Sequence, residues 1–283
     1  MSGPLAPIRA TRTGLLDTVV EGDGDGVRWS HRLGPHAPIP FSSMSIRLEC
    51  DVASVVLGAG DETQRVYATS TTSLLQNLFS AQQAVDLGSL GRSWGDAIRR
   101  IHEHAVPTQR AVPPRTLIRA RAWIAGGWPP IHRILGTDGM LEIQRWASQA
   151  TNQNTRVVHG SPGMAHCTVN STGSKIALLT GEDIGVADPG YDIVWVLGEL
   201  SELYHFYLGL RSQILALRKG LEAGYGSFPA PNQVRVGIAF RLLQHAFDWH
   251  HYAGAEIKHA NLLIQLARTY LEACDGQTEE GFL

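Results

Sequence analysis

Arg156 to Leu200 reads RVVHGSPGMAHCTVNSTGSKIALLTGEDIGVADPGYDIVWVLGEL. Its order of local signals decides the fold. Val157-Val158 is a short β-branched strand, followed by a His159-Gly160 loop. Cys167 to Val169 and Ile176 to Leu179 flank Ser171-Thr172-Gly173-Ser174, a run of turn residues that makes the pair a hairpin. An acidic turn with Glu182 and Asp183 comes next. Asp188-Pro189 then opens a helix, because proline suits a first helical turn.

Working outward, Leu203, Phe206, Tyr207, Leu210, Ile214, Leu217 and Leu221 recur every three or four residues and predict one long amphipathic helix. Two further helices follow, through Ile238 to Phe247 and Ile257 to Tyr270. Upstream, Leu90, Trp94, Ala97, Ile98 and Ile101 predict a helix over Gly88 to His104, with Ser89 as its cap. Thr137 or Asp138 is expected to cap another through Leu141, Ile143, Trp146 and Ala147. The first 85 residues differ in texture. Ser45 to Leu57 is rich in β-branched residues and reads as strands, and Arg65 to Leu75 continues the sheet. EGDGDGVRW, from Glu21 to Trp29, is turn chemistry and lacks the closing glutamate of a calcium loop. The chain therefore divides into a β-rich lobe over residues 1–87 and a helical lobe over 88–283.

Bulk composition excludes several classes. A hydrophobic content of 43% with 18% charged residues is that of a globular protein with a core. A net charge of -2 gives no basic excess for nucleic acid. No apolar run is long enough for a membrane span, and the N-terminus lacks the apolar core of a signal peptide. Cys50, Cys167 and Cys274 are widely spaced and form no zinc-finger pattern. Free thiols in the cytoplasm are the expectation.

The central segment resembles the aminoglycoside phosphotransferase and choline kinase family, relatives of protein kinases. His159-Gly160 matches the start of that family's catalytic loop. Glu182 to Pro189 and Asp192-Ile193 follow its later pattern, and Ser93 to Pro107 is similar to its first C-lobe helix. The resemblance implies an α+β fold of kinase type, with a reduced β-rich N-lobe and a helical C-lobe. Ser161 stands where the family has its catalytic aspartate, His166 where it has a metal-binding asparagine, and Thr180 where it has a metal-binding aspartate.

Those replacements bear directly on chemistry. Phosphoryl transfer is mainly positioning and charge neutralisation around ATP and Mg²⁺. Magnesium takes hard oxygen ligands, mostly carboxylates. Thr180 offers a neutral hydroxyl, His166 a nitrogen suited to softer metals, and Ser161 no base at neutral pH. No lysine precedes Lys175, and Arg47 in SIRLEC is read as the substitute for a front-lobe lysine.

Three functions stay open. The first is a pseudokinase that binds a substrate or partner, with no cofactor or metal. The second is a divergent kinase that keeps ATP and Mg²⁺, with Glu182 and Asp183 slipped into the metal-binding role. The third is a non-enzymatic ligand-binding protein. On the bland reading, Glu182 and Asp183 form a solvated turn, Asp188 and Asp192 cap the following helix, and His159 orients its loop. A narrower resemblance is to the phosphotransferase-like proteins paired with HopA-effector-like lyases in class V lanthipeptide and thioamide-peptide biosynthesis. It implies a lyase-like subunit and a ribosomally made precursor peptide as partners, and dehydration of Ser and Thr as the process. His245, His250 and His251 read as a polar helix face. Trp94, Trp123 and Trp128 are candidate partner contacts.

Overall fold

A computed structural model describes residues 7–22, 27–49, 54–70, 72–79, 85–152 and 154–273. Cys50, Cys274 and the centre of the EGDGDG turn lie outside these residues.

The front of the chain builds β1 (Pro7–Arg12), β2 (Leu16–Gly22), β3 (Val27–Leu33), β4 (Ile46–Leu48), β5 (Val55–Leu57), β6 (Ala59–Gly60), β7 (Gln64–Thr69) and β8 (Thr72–Ser73). Five of these form an antiparallel sheet in the order β1-β2-β3-β7-β6. Side chains alternate across a strand, so Trp29 and His31 of β3 share a face. Val20 and Tyr67 lie directly opposite Trp29 in the neighbouring strands. Val20, Trp29 and Tyr67 bury themselves against Leu179. That seals the sheet onto the central hairpin.

The remainder is α1 (Leu74–Phe79), α2 (Leu87–His104), β9 (Ala105–Pro107), α3 (Arg115–Gly126), α4 (Pro129–Gln149), β10 (Arg156–Val158), β11 (Cys167–Val169), β12 (Ile176–Thr180), β13 (Gly185–Ala187), α5 (Gly190–Phe206), α6 (Arg211–Tyr225), α7 (Pro231–Tyr252) and α8 (Ile257–Glu272). The predicted hairpin is β11–β12. It is extended by β8 beside β11 and by β5 parallel to β12, so both parts of the chain contribute to that sheet. β10 pairs with β13 and β4 with β9. Helix α5 is buried along most of its length, which explains why it carries apolar residues on every side.

Several expectations need correction. The long helix predicted through Leu203 and Leu221 is two helices. It breaks at Tyr207 (φ -122°, ψ 76°) and a 3-10 turn over Leu208–Leu210, where Leu208 is 66% exposed. The apolar period continues across the break because α6 buries Ile214, Leu217 and Leu221 on its own account. Asp86, not Ser89, caps α2: its carboxylate accepts the Ser89 N–H at 3.0 Å and the Ser89 hydroxyl at 2.6 Å. Helix α4 starts at Pro129, upstream of the predicted cap, and is interrupted at Gly136 (φ 68°) just before Thr137. Trp94, Trp123 and Trp128 are buried rather than presented to a partner. The Trp94 indole donates to the Pro162 carbonyl, and the Trp123 indole to Gln244. Both are apolar bodies whose polar tips found partners inside.

Helices α2 and α6 approach unusually closely. A Cβ on Gly91 would meet the Leu217 carbonyl oxygen at 2.1 Å, and one on Gly220 would meet the Gly88 oxygen at 2.1 Å. Only glycine fits at such a crossing. Among the described residues no helix is long and apolar enough to cross a membrane.

Candidate functional site

The His159-Gly160 loop is held from below by Asp192. This carboxylate is fully buried and accepts the backbone N–H of His159 (2.7 Å) and of Gly160 (2.9 Å). It also contacts His102 Nε2 at 2.9 Å. Asp192 thus braces the loop instead of capping the helix, and His102 on α2 fixes the brace. Asp188 makes a turn hydrogen bond, accepting the Gly190 N–H at 2.8 Å, while the cap position of α5 is Pro189, without a side-chain cap. Gly160 adopts φ 89°, and a Cβ there would meet the Asp183 carbonyl oxygen at 2.1 Å. Thr116 donates to the Gly160 carbonyl at 2.6 Å.

His159 has both ring nitrogens engaged. Nε2 donates to the Leu179 carbonyl at 2.7 Å, and Nδ1 accepts the Ser161 N–H at 3.3 Å. It orients the loop and has no free nitrogen for chemistry. Thr180 is fully buried, with its hydroxyl donating to Leu178 of its own strand at 3.1 Å. The Ser161 hydroxyl donates to Asp183 Oδ2 at 2.6 Å.

Glu182 and Asp183 are not a solvated turn: both are buried. The loop places them between the lobes, where guanidiniums beside Asp183 and a histidine contact to Glu182 replace lost water. Asp183 Oδ1 lies 3.1 Å from Arg115 Nη1 and 3.8 Å from Arg119 Nη1. Arg119 in turn pairs with Asp248 of α7 at 2.8 Å, and Arg115 donates to the Ile39 carbonyl. Burial would raise the Asp183 carboxyl, but Arg115, Arg119 and the Ser161 hydroxyl outweigh it and hold it well below the usual carboxylate range.

Glu182 meets a partner that sequence reasoning missed, His31 of β3, whose Nδ1 contacts Glu182 Oε1. Burial would raise this carboxyl too. The His31 ring, with His166 and Tyr67, brings it down to about 2. The signal was present in VRWSHRL. With side chains alternating, Val27, Trp29, His31 and Leu33 share one face, and His31 is the lone polar residue on it. Arg47, the substitute proposed for the front-lobe lysine, is exposed on β4.

His166 ends a 3-10 turn over Met164–His166 and is half-buried. Its ring lies 5.7 Å from both His31 and His159, edge-on to each. Burial pushes it down to about 4, with Glu182 pulling the other way. One ligand atom each from His31, His166 and Glu182 lie within 4.8 Å of one another.

Mg-ATP chemistry of the kinase type does not fit these donors. Thr180 is spent on its own backbone, Ser161 on Asp183, and Asp183 on two guanidiniums. His166 presents nitrogen where a hard cation wants oxygen. The other histidine cluster is no metal site: His245 pairs with Glu202 at 2.7 Å, while His250 stacks on Trp128 and His251 on Phe247.

No family model and no curated protein sequence matches the chain. Its fold does match solved structures. An apo thermostable mutant of aminoglycoside phosphotransferase APH(4)-Ia superposes with a TM-score of 0.56 at 10% identity, covering 96% of each chain. A choline/ethanolamine kinase family protein from Mesorhizobium loti gives 0.54 at 12% identity, covering 96% of this chain and 89% of its own. At such identities the likeness establishes a phosphotransferase-like, kinase-type fold.

Proposed function

We propose that the chain is a pseudokinase, a phosphotransferase-fold component that binds a substrate or partner in Ser/Thr modification of a ribosomally made peptide. One observation carries the loss of phosphoryl chemistry: Asp183, the nearest carboxylate to the Ser161 hydroxyl, is neutralised by Arg115 and Arg119. A carboxylate so held is a structural strut and has no charge to spare for a metal–phosphate complex. The divergent-kinase alternative needs that charge. The partner assignment, a lyase-like subunit acting on a precursor peptide, rests on the likeness of the HGSPG, LLTGED and DPGYDIVWVLGEL segments to lyase-paired proteins.

Reconstitution tests it. The full chain, a lyase-like subunit and labelled precursor peptide are combined with and without ATP. Anisotropy should report peptide binding by the chain whether or not nucleotide is present. A phosphorylated peptide formed by the chain and Mg-ATP alone, seen by mass spectrometry, would establish the active kinase instead.

A second reading, small-ligand binding, is favoured by one feature. A cavity of about 370 Å³ lies beside α3 and α7, lined by Ile39, Ile118, Trp123, Trp128, Phe247 and Tyr252. The pocket is half open to solvent, and its volume lies at the lower end of the range for small-molecule sites.

A further inference from the structure

We propose that the chain binds a divalent transition-metal ion, zinc by its donor set, through His31, His166 and Glu182. The three come from different elements: the core face of β3, the end of the 3-10 turn and the buried acidic turn. Their ligand atoms nevertheless lie within 4.8 Å of one another. Two imidazoles and a carboxylate form a recurrent zinc set that leaves a fourth position for water. Imidazole nitrogen suits zinc, copper, iron and nickel, whereas magnesium takes oxygen. The site therefore selects against the ion that kinase chemistry uses.

Unfilled donors give the second line of support. Glu182 Oε2 is buried with no hydrogen-bond partner. The Tyr67 hydroxyl lies beside Glu182 and helps to lower its carboxyl, yet it makes no well-formed hydrogen bond to it. Buried polar atoms are normally satisfied, and an ion or its bound water would satisfy these. His159 and Asp183 border the cluster but are already committed to Leu179, Ser161 and the two arginines, which defines the ligand set. Tetrahedral ligands at about 2.1 Å from zinc sit roughly 3.4 Å apart. Closing on the ion thus draws His166 inward and opens the direct His31–Glu182 contact.

A metal held this way ties the β-rich lobe, through His31, to the helical lobe, through His166 and Glu182. Ligands that bind only the folded state raise its stability by mass action. The inference is independent of the peptide-binding reading, because it concerns metal uptake by the isolated chain.

The test uses the full chain, stripped with chelator, freed of any histidine tag and titrated with Co²⁺ as a zinc surrogate. The expected result is a single saturating equivalent with the strong visible absorption of a tetrahedral site, displaced by zinc. His166→Ala and Glu182→Gln should each weaken it at least tenfold, while the double change His250→Ala, His251→Ala leaves it intact. Absence of saturable uptake overturns the proposal, and so does uptake that His166→Ala leaves unchanged. Should the variants fail to fold, X-ray absorption of the zinc-loaded wild type decides. Two imidazoles in the shell uphold the site, and fewer overturn it.

Discussion

Asp183 is the residue on which the competing accounts separate most cleanly. Its carboxylate joins the Ser161 loop to Arg115 and Arg119 of α3, and through Arg119 to Asp248 of α7. Breaking one member of a buried ionic network strands the others without water. Asp183→Ala should therefore destabilise the fold by about 3–5 kcal/mol, measured as a shift of the urea midpoint. A midpoint within error of wild type would show that the network contributes nothing.

His166 makes a pH prediction for the metal-free chain. Burial lowers it from its ordinary 6.5 to about 4. Between those values the unfolded chain holds a proton that the folded chain refuses, so stability rises with pH across the window and is lost as acid is added. Glu182, held at about 2, acts in the same sense further into acid. Glu199, raised by burial, opposes them. His166→Asn should flatten the wild-type slope between pH 4 and 6.5 by up to about 1.4 kcal/mol per pH unit. Parallel stability curves for the two proteins would reject the assignment.

Much of this scale was legible in the sequence. His159-Gly160 and the positions of Ser161, His166 and Thr180 were placed by the resemblance of a short motif to the phosphotransferase family. The burial of Glu182 and Asp183 did not, because the groups that compensate them lie far off in the chain. Arg115 is 68 residues from Asp183, and His31 is 151 from Glu182. A GED turn looks solvated until its partners are placed.

Among the elements, α2 and α6 form the tightest helix pair. Their contact depends on missing side chains. Gly91→Ala would drive a methyl group to 2.1 Å from the Leu217 oxygen, and overpacking of this kind costs about 1–3 kcal/mol. Gly126→Ala is the control: nothing lies within 4 Å of its Cβ, so thermal denaturation should show a drop for the first variant and none for the second. Equal melting temperatures would mean that the helices part without penalty. Helical period located α2 and α8, since each buries one coherent stripe, whereas α7 buries residues 236–244 on every side. The period could not see the break at Tyr207, because α5 and α6 present apolar residues in one continuous period while packing on different neighbours. The strands at the front were legible only in part. β1 and β2 lie in a stretch where Gly, Pro and Asp mask the alternation.

Over the whole molecule, the β-rich front and the helical part are joined at the acidic turn. Trp29 and Tyr67 pack on Leu179, His31 reaches Glu182, and the Ser42 N–H donates to the Glu182 carbonyl at 2.7 Å. At the far edge the β1–β2 turn is tied to α7, where the Gly14 N–H donates to the Tyr252 carbonyl at 2.8 Å. The fold is phosphotransferase-like. Around the acidic turn sit His31 and His166 beside Glu182, and Arg115 and Arg119 beside Asp183. Calorimetric titration of the purified full chain with Mg-ATP tests this most directly. The account predicts no saturable binding below the millimolar range, and a micromolar dissociation constant would contradict it.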